Sequence, residues 1–343
     1  MSILMIVDKE YTIKDIAEKL QLSKSTVSRA LRNSHDVNPE TRKRVLMLAE
    51  QLNFEPNAIA KNLRQQKTFT IGVVIPSFKI PFYSTAVTGI HKAASLAGYN
   101  VIICQNDDSY EGEMQNVNSL IKSRVDGILI SFAQGTTNFD HIKKLQEKNF
   151  PVVLFNRVNT NLNLPVVMVD DYKSSYDATK YLIGRGNKNI AYISGPENIK
   201  LSNDRKRGYI DCLRDHDLRI RESLIVESDF SIQSGEYCAE FLLKLPTKPD
   251  AIYCVCDAVA FGVMKTLKRK RIQIPKEISV MGYTNEPVAD LVDPPLTTVS
   301  QPIAEIGEKA VELLLKVIGK KLTIDENKIL TLDTCMVVRR STI

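Results

Sequence analysis

From residue 70 to residue 283, β-rich apolar runs alternate with helical ones, and this alternation limits the fold more than any other feature. The first set runs 71–75, helix 82–97, 99–104, helix 113–123, 127–131, helix 140–147 and 152–155. A second set follows as helix 172–183, 190–194, helix 204–216, helix 235–243, 251–256, helix 257–269 and 278–283. Strands this apolar have no face to offer water, so they belong in parallel sheets covered by helices on both sides. Two comparable sets make two doubly wound α/β halves facing one another, because one sheet of that size would outgrow a single core. A helix at 303–318 and a strand near 334–338 finish the chain and are read as crossing between the halves.

The first quarter follows a different period. Thr12 is a candidate N-cap with Asp15 three residues on, and Ile13, Ile16, Ala17 and Leu20 share one face of a helix. Ser23 caps a second helix whose Val27, Ala30 and Leu31 turn inward, which leaves Lys24, Ser25, Ser28 and Arg29 outward near its start. Such a pair is an all-α helix-turn-helix, whose second helix meets base edges and phosphates in the major groove. A third helix, capped by Asn38 with Pro39 at its first position, runs through Val45, Leu46, Leu48, Ala49 and Leu52. Over residues 1–70, Lys and Arg outnumber Asp and Glu by twelve to eight, which is four of the chain's six net positive charges. That excess suits a phosphate-backbone binder but is modest, so the helical pattern carries the DNA-binding reading. Pro56 opens a segment of about two turns, too short to hold as a helix alone. It is either ordered by a copy of itself or by DNA, or it is a plain linker.

No run approaches the eighteen apolar residues that crossing a bilayer requires. The start has no basic stretch and no small-residue cleavage site, so a cytoplasmic protein is expected. Six cysteines, largely in apolar stretches, read as buried reduced thiols. Cys254 and Cys256 would share a strand face, but no second pair or nearby His completes a metal site. The first strand-to-helix turn, Pro76-Ser77-Phe78-Lys79-Ile80-Pro81-Phe82, carries neither a dinucleotide fingerprint nor a Walker lysine, and no nucleophile elbow occurs elsewhere. A two-lobed α/β body without a catalytic constellation, joined to a DNA reader, reads as a ligand sensor. Neither an enzymatic activity nor a cofactor is expected.

Several motifs then occur in one order along essentially the whole chain. They are Thr12 through Arg29, Pro56-Asn57-x-x-Ala60-x-x-Leu63, Ile71-Gly72-Val73-Val74-Ile75-Pro76 and Ser194-Gly195-Pro196. Next come Arg205-x-x-Gly208-Tyr209, Cys256-Asp257-x-x-Ala260-x-Gly262, Ile278-Ser279-Val280-Met281-Gly282-Tyr283 and Pro295-Leu296-Thr297-Thr298-Val299-x-Gln301. The chain thereby resembles the LacI/GalR (lactose-repressor/galactose-repressor) family of bacterial transcription regulators. The resemblance implies a helix-turn-helix head at 1–55, a hinge helix and linker at 56–67, and an effector-binding, dimerising body at 68–343. The body would be periplasmic-binding-protein-like, with one lobe near 68–168 and 299–328 and the other near 169–298 and 329–343.

It further implies a homodimeric repressor on a pseudo-palindromic DNA operator. Lys24, Ser25 and Arg29 would read bases, while Thr12, Thr26, Ser28, Asn38 and Thr41 fall where phosphate contacts are made. In the hinge, Asn57 belongs to the motif, Ala60 would let two helices approach, and Leu63 would wedge into a minor-groove step. Between the lobes, Tyr83, Asn156, Arg205, Phe230, Asp257 and Thr284 would hold a small effector, with a sugar or sugar derivative the first expectation. Arg157 stands beside Asn156 at the same strand end. Two departures weaken the sugar analogy: Cys256 replaces the usual asparagine, and Gly282-Tyr283-Thr284-Asn285 lacks the usual carboxylate. A protein coregulator in place of a small ligand is the alternative.

Overall fold

The computed structural model describes residues 11–31, 34, 36–52, 54, 67–324 and 328–342. It separates into two compact units, Met1–Thr68 and Phe69–Ile343. Among the described residues no helix is long and apolar enough to cross a membrane, and no group of acidic, His or Cys side chains is placed to hold a metal ion.

The first unit is three helices, α1 (Ile13–Leu20), α2 (Lys24–Leu31) and α3 (Pro39–Gln51). Ile16, Ala17, Val27, Ala30, Val37, Val45 and Ala49 form its core. Burying each larger aliphatic side chain contributes about 1.5–3 kcal/mol, which short helices need because their own nucleation is unfavourable. Leu46 and Met47 face solvent, since the period that turns Val45 and Ala49 inward carries these two away.

In the second unit, the first lobe runs β1 (Thr70–Ile75), α4 (Pro81–Leu96), β2 (Asn100–Gln105), α5 (Tyr110–Lys122), β3 (Gly127–Ile130), α6 (Asp140–Glu147), β4 (Val152–Phe155) and β5 (Val166–Val169). The second continues with α7 (Asp171–Gly184), β6 (Ile190–Ser194), α8 (Lys200–Asp215), β7 (Ile225–Glu227), α9 (Ile232–Leu243) and β8 (Ala251–Cys254). It ends with α10 (Asp257–Arg269), β9 (Ser279–Thr284) and β10 (Thr297–Ser300). The chain then returns through α11 (Ile303–Ile318) and β11 (Ile329–Leu332) to the first lobe, and closes with β12 (Cys335–Val337) on the second.

Each lobe holds a six-stranded sheet, ordered β11-β5-β4-β3-β1-β2 in the first and β12-β10-β9-β8-β6-β7 in the second. Every pairing is parallel except β10 with β12. Strand order reverses beside β1 and beside β6, and such switch points open crevices at the carboxyl ends of the strands. α4 and α11 pack closely because Gly89 and Gly307 lack side chains: a Cβ on Gly89 would lie 2.0 Å from the Ala304 carbonyl oxygen.

Six details differ from the sequence reading. Ile329–Leu332 pairs in parallel with β5, so the last crossing comes after residue 332 rather than before 329, and Thr297–Ser300 belongs wholly to the second lobe. The 329–332 edge strand only alternates in burial, which conceals it among loop residues. β2 is an edge strand with Ile102 and Ile103 exposed, not covered on both faces. α8 begins at Lys200, four residues earlier than expected. Cys256 lies beyond β8 as the N-cap of α10, so it does not share a strand with Cys254, and Cys335 is exposed rather than buried.

Candidate functional site

The start of α2 is built by short-range polar contacts. Thr12 and Asp15 form a reciprocal capping box: the Thr12 backbone N donates to Asp15 Oδ2 at 2.7 Å, and Asp15 N donates to Thr12 Oγ1 at 3.4 Å. Ser23 Oγ accepts from Thr26 N at 3.1 Å, with the Ser25 and Thr26 hydroxyls 2.7 and 2.8 Å away. Lys24, Ser25 and Arg29 are exposed on one helix, while Thr26 and Ser28 are half-buried beside them. Arg29 Nε donates to the Ser25 carbonyl at 3.3 Å, which lays its side chain along the helix. Asn38 Oδ1 accepts from Glu40 N at 2.8 Å as the cap of α3, and Thr41 is half-buried one turn on. Asn57, Ala60 and Leu63 lie outside the described residues.

In the first lobe the structure brings Tyr83 and Asn156 together. Asn156 follows β4 in the left-handed region (φ 58°), and its Nδ2 donates to the Tyr83 hydroxyl at 3.2 Å. That hydroxyl is also 3.0 Å from Ser131 Oγ, after β3. The Tyr83 ring is fully buried edge-on against Phe82, so it is a strut rather than a stacking platform. Burial pushes its phenol above the ordinary value, against the pull of Arg157. Arg157 donates to Asp108 Oδ1 at 2.7 Å, and its guanidinium lies 5.3 Å over the ring of Phe230 from the second lobe. Phe230 itself is left-handed (φ 66°), and its carbonyl accepts from Cys256 Sγ at 3.8 Å.

Arg205 and Asp257 are both tied into the second lobe by buried contacts. Arg205 Nε donates to Asp171 Oδ1 at 2.7 Å and Nη1 donates to the Val255 carbonyl at 2.7 Å, while its guanidinium carbon stacks 3.5 Å from the Tyr283 ring centroid. Burial alone would lower the Arg205 pKa, but the Asp171 charge reverses this and holds the guanidinium protonated. Asp257 accepts from Thr298 Oγ1 at 2.6 Å and from Glu286 N at 2.7 Å, and burial pushes its carboxyl up to about 6. It stands at the first position of α10 yet ties down β10 and the β9 loop instead of capping its own helix. Gly282 makes room for it, since a Cβ there would sit 2.1 Å from Asp257 Oδ1. Both residues thus have buried partners within the second lobe.

Thr284 does reach open space. Its Oγ1 accepts from Gln301 Nε2 at 3.5 Å, and both residues line a cavity of about 360 Å³ where the chain crosses between the lobes. Phe82 and Thr85 of α4, Glu286 after β9 and Glu305 of α11 complete its principal walls. Burial, with Asp257 adding to it, pushes the Glu286 carboxyl up to about 7. Sequence reasoning missed Phe82, Glu286 and Glu305 as lining residues. Glu286 directly follows the anomalous Thr284-Asn285 pair, which was the available signal.

A family profile for periplasmic binding proteins and the sugar binding domain of the LacI family matches residues 68–335, and one for bacterial regulatory proteins of the lacI family matches residues 12–57. Catabolite control protein A of Priestia megaterium is 35% identical over 317 residues, covering 92% of this chain and 95% of its own. The HTH-type transcriptional repressor CytR of Escherichia coli (strain K12) is 34% identical over 304 residues, 89% of each chain. The lac repressor dimer bound to operator and the anti-inducer ONPF is similar in fold, with a TM-score of 0.86 over 98% of this chain and 100% of that one at 24% identity.

Proposed function

The chain belongs to the LacI family of bacterial regulatory proteins, and from that premise we propose that it is a repressor whose homodimer binds a pseudo-palindromic operator under the control of an effector held between its lobes. The observation that carries this reading is the exposed set Lys24, Ser25 and Arg29 along α2, held in place by a capped three-helix core. These side chains read bases. Thr12, Thr26, Ser28, Asn38 and Thr41 position the head on phosphates, and the hinge residues Asn57, Ala60 and Leu63 engage the minor groove. Exposed apolar side chains, Ile102 and Ile103 on the β2 edge and Tyr237 and Phe241 on α9, are available to a second copy. The effector site takes in Thr284 and the neighbouring cavity, together with Tyr83, Asn156, Arg205, Phe230 and Asp257. A sugar or sugar derivative is its first candidate class.

Selection of bound sequences from random duplexes, with and without sugars, sugar phosphates and nucleosides, tests the reading. A palindrome gained or lost with one compound is the expected result, and no enriched sequence under any condition would overturn it. Arg29→Ala should weaken specific binding by about 1–3 kcal/mol and relax sequence preference. One observation favours a second reading, control by a protein coregulator. Arg157 and Arg205 are already paired with Asp108 and Asp171, so few charges remain for a small ligand. A palindrome indifferent to every compound would support it.

A further inference from the structure

The cavity at the lobe crossing offers acceptors of one sign. Glu286 and Glu305 line it, and no Lys, Arg or His does. Neither carboxylate forms an ion pair among the described residues. Gln301, 92% buried at 8% exposure, spends its Nε2 on Thr284, and its Oε1 is buried with no donor. An amide oxygen left without a donor is costly, so the wall is short of one hydrogen-bond donor and of positive charge. Two helices begin here, and helix starts ordinarily favour anions. These two are largely occupied: Pro81 has no N–H, Tyr83 N donates to the Ile80 carbonyl, Ile303 N donates to the Gln301 carbonyl, and Glu305 stands in the first turn of α11. The volume, about 360 Å³, falls in the range of small-molecule sites.

We propose that the effector is a small organic amine, bound as its cation, with the ammonium donating to Glu286 and to the Gln301 amide oxygen. This rests on the effector-controlled reading above and narrows it. The other charged groups around Glu286 do not supply a cation. Asp257 adds negative charge from α10, Glu305 adds it from α11, and Arg339 is held by Asp290 and the Asn285 amide oxygen. Because the Glu286 carboxyl titrates near 7, amine binding takes up its anionic form and strengthens as pH rises.

Calorimetric titration of the full chain at pH 8 tests this with two matched sets: D-glucosamine against D-glucose and N-acetyl-D-glucosamine, and putrescine against 1,4-butanediol. At least one amine should bind ten-fold or more tightly than its neutral counterparts. Putrescine, protonated throughout, should lose roughly ten-fold in affinity from pH 8 to pH 6, and glucosamine, whose weaker amine gains its proton over the same range, should lose less. Glu286→Gln, checked for folding by circular dichroism, should lose ten-fold or more, and the exposed Glu305→Gln a smaller two- to three-fold. If no amine outbinds its neutral counterpart, or Glu286→Gln binds amines like the wild type, the proposal falls. Operator binding measured alongside separates the two readings. A neutral sugar that alters operator affinity equally in wild type and Glu286→Gln would keep effector control and remove the amine. An amine that binds as expected without altering operator affinity would keep the amine site and remove effector control.

Discussion

In the first lobe the Arg157–Asp108 pair leaves 29% of the Asp108 side chain exposed, whereas in the second the Arg205–Asp171 side chains are only 4% and 5% exposed. The lobes share a strand order, but Arg157 follows the end of β4 whereas Arg205 lies within α8. One lobe keeps its charges near water, where a ligand can compete for them. The other has drawn them into its core, where the Asp171 carboxylate also accepts from Tyr283 and the arginine also serves Val255. The depth of the partner carboxylate therefore separates the two pairs more than the arginine's own exposure does.

The largest test of this contrast is removal of each arginine. Arg205→Ala strands a buried carboxylate and should lower the unfolding free energy in urea by about 3–5 kcal/mol. Arg157→Ala frees a carboxylate that water still reaches, and should cost only about 1 kcal/mol. Equal losses would abolish the distinction.

Glu286 extends the comparison to the crossing. Its folded carboxyl titrates near 7, against 4.5 ordinarily, so the folded chain holds that proton more tightly. The stability it contributes is full below pH 4.5 and is lost as pH rises through 7. Glu286→Gln has no such proton to lose. Its unfolding free energy in urea should match the wild type at low pH and exceed it at pH 8, by about 2 kcal/mol after allowing for solvent screening. An unchanged pH dependence in the variant would show that the group is solvated like a surface carboxylate.

Two tyrosines give the smaller effects. Tyr83→Phe removes a hydroxyl shared with Ser131 and Asn156 and should cost about 1 kcal/mol. Tyr192 in the second lobe has a buried hydroxyl with no partner, so Tyr192→Phe should change stability by no more than about 0.5 kcal/mol, or raise it. A clear loss at Tyr192 would reveal a partner that the geometry lacks.

Much of the architecture was legible because its causes are local. The Thr12–Asp15 box spans three residues, Asn38 caps two residues on, and the inward positions Val27, Ala30, Val45 and Ala49 follow the helical period. Strands apolar along their length, such as Gly127–Ile130 and Val152–Phe155, announced themselves equally well. Val166–Val169 and Ile225–Glu227 did not, being short and without a helical run directly before them to complete the alternation. Edge strands were harder still, because a half-exposed strand such as Ile329–Leu332 has a loop's composition and gains its identity only by pairing with Val166–Val169.

The sequence by itself determined where the helices of the head start, which residues turn inward, and that two α/β halves follow a three-helix head, since capping and burial periodicity act over a few residues. Only the tertiary structure decided which polar groups pair with one another across the fold. Arg205 met Asp171 across 34 residues, Asp257 met Thr298 across 41, and Arg157 met Asp108 across 49. A buried charge takes whichever partner the packing brings within reach, and no local pattern records that choice. Among the described residues the Glu286 carboxylate has no ion-pair partner and the Gln301 Oε1 no donor, and this difference marks the cavity that they line.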